Sequence, residues 1–216
     1  MPKKNLAICI PSGRFVDFGF FQSFANTIAE TMFYCNTAVF TVASPMIFEN
    51  RNELVRRVFS FEGKSGFAFD FMLWIDNDIV FNFGQVKKLL SHLEDGEDFV
   101  SGVYYNPKDG NVLPVAYFAD GERYRWLEEK DVQNGGKDFG LLEVDAVGFG
   151  FCAMKMDLMR EIFARHKPRP FNLRQLDDGS LVTEDQVFCE RAKEAGAKIM
   201  LDSSIVVKHA KGYLPR

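Results

Sequence analysis

Apolar and polar positions along this chain fall into blocks of two periods. Leu6 to Ile10 is a short apolar run closed by Pro11, Ser12 and Gly13, which predicts a strand and a turn. From about Gly19 to Cys35, the apolar residues Phe20, Phe21, Phe24, Ile28 and Met32 recur three and four apart, which predicts a helix with that face inward. Ala38 to Ala43 is rich in β-branched residues and reads as a second strand, ended by Ser44 and Pro45. Arg51 to Phe61 reads as a second helix with Leu54, Val55 and Val58 inward. Phe69 to Ile75 is a near-continuous apolar run, the pattern of a strand buried on both faces of a parallel sheet. It stops at two carboxylates, Asp76 and Asp78. An extended chain through Asn77 would put both aspartates on one face and Asn77 on the other.

Beyond them, Phe83 to Leu93 reads as a helix and Asp98 to Val103 as a strand leading to Tyr104 and Tyr105. The alternation then fails. From Asn106 to Gly140 many Gly, Asp and Asn residues separate short extended pieces such as Val115–Phe118, which predicts a small antiparallel addition. Leu141–Ala146 and Phe149–Met156 are extended, and Asp157–His166 is a short helix with Asp157 as cap. Lys167 to Ser180 is a loop suited to closing over a ligand. In Thr183–Ala195, Thr183 and Gln186 form a capping box and Gly196 stops the helix. Lys198–Leu201 and Ile205–Lys208 are final strands, followed by His209. Strands alternating with helices predict an α/β fold: a mixed, mainly parallel sheet flanked by helices.

Composition narrows the function. With 216 residues, 47% of them hydrophobic and 26% charged, the chain can bury one large core. The 23 phenylalanines imply that flat, bulky side chains fill it. A net charge of -4 gives no basic footprint for nucleic acid. The 4 cysteines are widely spaced with no CxxC pair, which argues against zinc and for a reducing compartment. The N-terminal apolar run is too short for a signal-peptide core of ~7–15 residues. No stretch approaches the ~20 apolar residues of a membrane span. The expectation is a soluble, cytoplasmic protein.

Four groups of residues can carry chemistry. Asp76 and Asp78 leave a buried strand where open α/β sheets bind ligands, and paired carboxylates there suit Mg²⁺ or Mn²⁺ with a phosphate-bearing substrate; the bland alternative is a polar turn. Glu184 and Asp185 open a capped helix, where acids offset the helix dipole, yet a carboxylate facing the cleft is also a general base. His209 follows a strand among Lys208 and Lys211, placed to share a metal with a strand-end aspartate. Arg14 follows the first strand, and Arg51–Asn52 opens the second helix, positions that favour an anion or nucleotide; a solvated surface arginine is the equal alternative for each.

In order along the chain, IPSGR, the Arg51–Asn52 pair, WIDNDIVF, SGVYY, VDAVGFGFCAMK and TEDQVFCERAKEAGAKIMLDSSIVVKH make a pattern that covers most of it. It resembles the GT-A class of nucleotide-sugar glycosyltransferases, in particular small soluble bacterial, phage and large-virus types, including those that build capsid glycans. The resemblance implies a GT-A type, Rossmann-like sheet in a single catalytic domain over 1–216, with 1–105 as nucleotide-binding half and 106–216 as acceptor and catalytic half. It places Pro11, Ser12, Arg14, Arg51, Asp76, Asn77 and Lys211 near the nucleotide. Tyr105 and Gly148, Phe149 and Gly150 fall near the donor sugar or acceptor, and Asp78, His209 and Asp76 near Mn²⁺ or Mg²⁺. Asp185 is then the base of an inverting transfer, with Glu184 second. The implied partners are a nucleotide-sugar donor, by analogy UDP-linked, and a glycan or glycoprotein acceptor; a viral member would act in the host cytoplasm. No QxxRW motif of processive synthases is present. Three rivals remain: a haloacid-dehalogenase-like phosphatase, with Asp177–Asp178 as its late acidic motif; a non-catalytic nucleotide-sugar or glycan-binding module; and a retaining transferase. The chain stops soon after His209, which is also what one domain of a longer protein would show.

Overall fold

The computed structural model describes residues 3–128, 131 and 140–210. In chain order, β1 (Asn5–Ser12), α1 (Phe18–Tyr34), β2 (Asn36–Ala43), α2 (Ile47–Ser65) and β3 (Phe71–Ile75) form the expected alternation. β4 (Ile79–Val80), α3 (Phe83–Glu94) and β5 (Phe99–Val103) follow. Four short strands occupy the irregular stretch: β6 (Tyr105–Lys108), β7 (Asn111–Pro114), β8 (Ala116–Asp120) and β9 (Arg123–Trp126). Then come β10 (Leu141–Val144), β11 (Ala146–Val147), β12 (Phe151–Lys155) and α4 (Met156–His166). The chain finishes with β13 (Arg174–Gln175), β14 (Leu181–Val182), α5 (Glu184–Glu194), β15 (Ile199–Val206) and β16 (Lys208–His209).

Seven strands make the main sheet, in the order β10-β15-β5-β12-β3-β1-β2. β1, β2, β3, β5 and β15 run one way, while β12 runs antiparallel between β3 and β5 and β10 antiparallel beside β15. The sheet is therefore mixed and mainly parallel, with β8, β9 and β11 as a separate antiparallel addition. Both 1–105 and 106–216 supply strands to this one sheet.

Side-chain alternation sorts the core into two layers. Leu6, Ile8 and Ile10 of β1 and Phe71, Leu73 and Ile75 of β3 pack with Phe20 of α1 and with Val86, Leu89 and Leu93 of α3. Ala7, Cys9, Met72 and Trp74 face the other way, onto Leu54, Val55 and Val58 of α2, Met159 and Ile162 of α4 and Phe188 of α5. Among the described residues no helix is long and apolar enough to cross a membrane.

Several expectations shift. α1 buries Phe20 but otherwise Ser23, Thr27 and Thr31, while Phe21 and Met32 are 59% and 56% exposed. Small side chains let this helix lie close: a Cβ at Gly19 would meet Val80 at 2.9 Å, and Ser23 Oγ accepts from the Phe81 N–H at 3.2 Å. α2 starts at Ile47, one turn early, because the buried Asn50 side chain donates to the Ser12 and Ser44 carbonyls at 2.9 and 3.0 Å. Arg51 therefore sits inside the helix and does not open it. α4 starts at Met156 with Lys155 at the cap position, because β12 runs straight into it; Asp157 lies in the first turn and accepts from Arg160 at 2.8 Å. The last two expected strands are one, β15, with a register shift between Asp202 and Val206. The 167–180 loop is not free along its length, since the Asn52 side chain accepts from the Phe171 N–H at 2.9 Å and donates to the Phe171 carbonyl at 2.8 Å.

The two neighbouring phenylalanines of α1 make a direct test of this packing. Phe20→Ala is expected to lose about 3–5 kcal/mol, the cost of emptying a buried aromatic site. Phe21→Ala should stay within about 0.5 kcal/mol, as an exposed position does. Urea denaturation of both variants measures the difference; equal losses would contradict the helix orientation.

Candidate active site

The parallel strands β1 and β3 end together, and the chain does not stay extended past Asp76. It turns, with the Ile79 N–H donating to the Asp76 carbonyl at 3.1 Å. Asn77 does point away from the two acids. Its amide donates to Ser12 Oγ and to the Phe15 carbonyl, both at 2.8 Å, and its own carbonyl accepts from the Asp17 N–H at 3.1 Å. Asp17 in turn caps α1, accepting from the Gly19 N–H at 2.7 Å. On the other side β4 pairs with β16, setting Ile79 opposite His209, and the Ala210 N–H donates to the Asp78 carbonyl at 2.7 Å. This pairing leaves His209 Nε2 3.2 Å from Asp78 Oδ2.

Arg51 is the centre of the site's charge. It is 2% exposed. Its Nη1 donates to Glu184 Oε1 at 2.8 Å and to Asp185 Oδ1, and its Nη2 donates to Asp76 Oδ1 at 3.4 Å. The guanidinium lies over the rings of Phe149 and Phe171, at 5.3 and 5.9 Å from their centroids. α5 presents the two acids because Thr183 fixes its first turn: Gln186 Oε1 accepts from the Thr183 N–H at 3.1 Å, closing the capping box. Asp185 Oδ2 accepts from the Phe149 N–H at 3.3 Å.

One cation thus serves three carboxylates. Burial pushes Asp185 up to about 7; Arg51 opposes this shift, and Glu184 and Asp76 add to it. Burial likewise lifts Asp76 to about 6, against the pull of Arg51 and with a push from Asp78. The same acids hold Arg51 above its ordinary value despite its burial. These directions are compatible, because a single positive charge divided among three acids cannot repay the desolvation of each.

The remaining expected site residues are placed as follows. Pro11 and Ser12 end β1 and are buried. Arg14 is exposed, with its guanidinium 5.4 Å from the Phe15 ring centroid. Lys211 lies outside the described residues. Phe149 contributes its N–H and the ring face beneath Arg51; that ring is buried against Trp74, Phe99, Phe171 and Phe188. Tyr105 packs in the core layer below α2, α4 and α5, whereas Tyr104 falls on the opposite side, its hydroxyl against Gly148 and Gly150. The period-two alternation of β5, continued through Val103, would have sorted the two tyrosines. Asp177 and Asp178 are exposed on the turn between β13 and β14, and Asp178 pairs with Arg123.

Among the described residues no three His, Cys, Asp or Glu side chains converge as a metal group. Asp78 and His209 do fit two neighbouring ligands of one octahedral cation, which lie about 3 Å apart when each bond is ~2.1 Å. The rest of such a shell would come from phosphate oxygens and water.

No family model and no curated protein matches the chain by sequence. Solved structures match its fold. GalNAc-T7, solved with UDP, GalNAc and Mn²⁺, superposes at TM-score 0.58 and 9% identity over 95% of this chain and 43% of its own. The mannosyltransferase PcManGT from Pyrobaculum calidifontis, in complex with GDP-Man and Mn²⁺, does so at 0.53 and 13% identity over 97% of this chain and 57% of its own. The chain has a GT-A fold. A197 from STIV aligns at TM-score 0.54 and 17% identity over 98% of this chain and 86% of its own. The chain spans about half the length of the two transferases.

Arg51→Met tests the charge balance. It leaves one buried and two partly buried acids without a cation, which costs up to about 3–5 kcal/mol near neutral pH. An unfolded aspartate titrates near ~3.9, so Asp76 and Asp185, raised in the fold, take up protons on folding. Their penalty therefore grows as pH rises from 4 through 7. The deficit against the parent chain should be larger at pH 8 than at pH 5, read by urea denaturation at both values. A pH-independent deficit would mean that Arg51 does not stabilise the ionised form of these acids.

Proposed function

We propose that this chain is a metal-dependent, inverting glycosyltransferase that moves a sugar from a nucleoside diphosphate donor, a UDP-sugar first, to a hydroxyl of a glycan or glycoprotein. The observation that carries this reading is a meeting of two groups at the carboxyl ends of the strands of a GT-A fold. Asp78 Oδ2 and His209 Nε2 lie 3.2 Å apart, as two ligands of one cation would, and Asp185 is a partly buried, raised carboxylate held by Arg51.

Asp78 and His209 would hold Mn²⁺ or Mg²⁺, with Asp76 contacting the ribose or a bound water. A divalent cation bound there supplies Lewis-acid neutralisation of charge on the departing diphosphate. Ser12 and the Asn77-clamped loop that carries Arg14 form the nucleotide side. Gly148, Phe149 and Gly150 lie beneath the donor sugar. Arg51 does not reach the nucleotide in this assignment; it holds the acids. Asp185 takes the proton from the acceptor hydroxyl as its oxygen bonds to the anomeric carbon. The bond from that carbon to the diphosphate breaks in the same displacement, so configuration inverts. A carboxylate titrating near neutrality suits this work, because the best base has a pKa near the working pH. Glu184 is the second candidate, sharing Nη1 of Arg51.

A thermal-shift screen of nucleotide sugars with and without Mn²⁺ tests the donor directly, since donor at a hundred times its Kd adds about 2.7 kcal/mol. The Mn²⁺-dependent shift should vanish in Asp78→Ala and shrink in His209→Ala. Asp185→Asn should keep donor affinity and lose about 10²–10⁴ in transfer rate; a normal rate would move the base to Glu184. In the parent chain kcat/KM should rise with pH through about 7, as Asp185 ionises. Product of retained anomeric configuration would overturn the single displacement.

A further inference from the structure

Tyr104 is a tyrosine that the transfer described above does not use, yet it touches both sides of the site. It is buried, and its ring lies nearly parallel to His209, with centroids 6.1 Å apart and planes 15° from each other. Its hydroxyl fits a notch made by two glycines. A Cβ on Gly148 would come within 2.0 Å of that oxygen, and one on Gly150 within 2.8 Å of the ring carbon that bears it. The Gly150 N–H donates to the hydroxyl at 3.3 Å. The backbone repeats the connection: the Tyr104 carbonyl accepts from the Val115 N–H at 2.9 Å, and the Val115 carbonyl from the Gly148 N–H at 3.1 Å. The same loop reaches both acids, because the Gly150 carbonyl accepts from the Asp76 N–H at 2.9 Å and the Phe149 N–H donates to Asp185.

We propose that Tyr104 is a positioning residue that ties His209 to the Gly148–Gly150 loop and so fixes the spacing between the cation side and the base side of the site. This rests on the glycosyltransferase reading. Its two ends act separately. The ring backs the imidazole of His209, and the hydroxyl sets the height of the loop under the donor sugar. A plain hydrophobic filler would have no use for the hydroxyl and would not need two glycines to admit it. The glycines are then required by the tyrosine, since any larger residue at 148 or 150 displaces it.

Two substitutions separate the ends. Tyr104→Phe keeps the ring, so Mn²⁺ affinity, read by electron paramagnetic resonance of the free ion, should stay within about twofold. Its kcat should fall about tenfold or more with donor KM unchanged, the signature of a slightly misplaced reacting geometry. Tyr104→Leu removes the ring and should weaken Mn²⁺ about tenfold or more, as loss of an outer support for a metal ligand does. It should also shift the His209 imidazole resonances by removing the ring current, a signal easily assigned among 3 histidines. Gly150→Ala pushes the ring from the other side and should reproduce the Mn²⁺ loss, which covers the case of a Tyr104→Leu chain that does not fold. Unmoved His209 resonances in Tyr104→Leu and Gly150→Ala, or a kcat loss in Tyr104→Phe matched by its loss of folded fraction, would overturn the proposal. If no nucleotide sugar turns over in the parent chain, the transferase reading fails while the His209 resonances and Mn²⁺ affinity still decide the role of Tyr104.

Discussion

The site depends on burying one guanidinium among carboxylates from two distant parts of the chain. Asp76 arrives at the end of β3, and Glu184 and Asp185 arrive at the start of α5, more than a hundred residues later. They converge only because Arg51 stands between them inside α2. Without a cation, three acids could not share so little water. With one cation they can, but with charge left over, and that excess keeps Asp185 from being an ordinary, fully ionised surface acid. The aromatic floor of Phe149 and Phe171 serves the same end, presenting ring faces to the cation and keeping water out. Helix position, loop position and acid strength are therefore set by one contact network.

Much of the scaffold was legible along the chain because local signals and burial agree there. The strand expected over Phe69–Ile75 forms from Phe71 to Ile75, buried on both faces as a near-continuous apolar stretch implies; Asp70 stays outside it, its carboxylate accepting from the Asn5 N–H at 2.8 Å. Asn82 with Gln85, and Thr183 with Gln186, start their helices by the same capping chemistry. The misread parts are those where polar residues do the packing. Ser23, Thr27 and Thr31 face inward in α1, and no apolar count finds them. The first turn of α2 is held by Asn50, whose partners lie in β1 and in the Ser44 turn. Asp76, Asp78, Asp185 and His209 could be singled out as candidates because residue type and strand or helix ends suffice for that, and the fold does bring them to one end of the sheet. The partnership of Arg51 was not, since it joins residues 51 and 184 and no periodicity spans that gap. A buried arginine and an exposed one look alike in sequence until the fold supplies the neighbours.

The likeness to transferase structures at 9% and 13% identity follows from the same division. A sheet order and two packed helical layers can be kept by many sequences that preserve alternation and volume. The site residues obey stricter geometry. β12 shows how the two are joined: by running backwards between β3 and β5, it carries the Gly148–Gly150 segment to the place where the forward strands end. A sheet of uniformly parallel strands would leave that segment at the opposite edge.

Asn77 deserves a last consequence. As the middle residue of Asp76-Asn77-Asp78 it would be written as a wildcard, a place where any residue serves. Its three hydrogen bonds, to Ser12, Phe15 and Asp17, instead bolt the acidic turn to the loop after β1 and to the cap of α1. Turn, loop and helix start then move as one part, with the two acids mounted on it. The aim of the carboxylates is decided by the side chain that points away from them, and a catalogue that records only the acids discards the hinge pin.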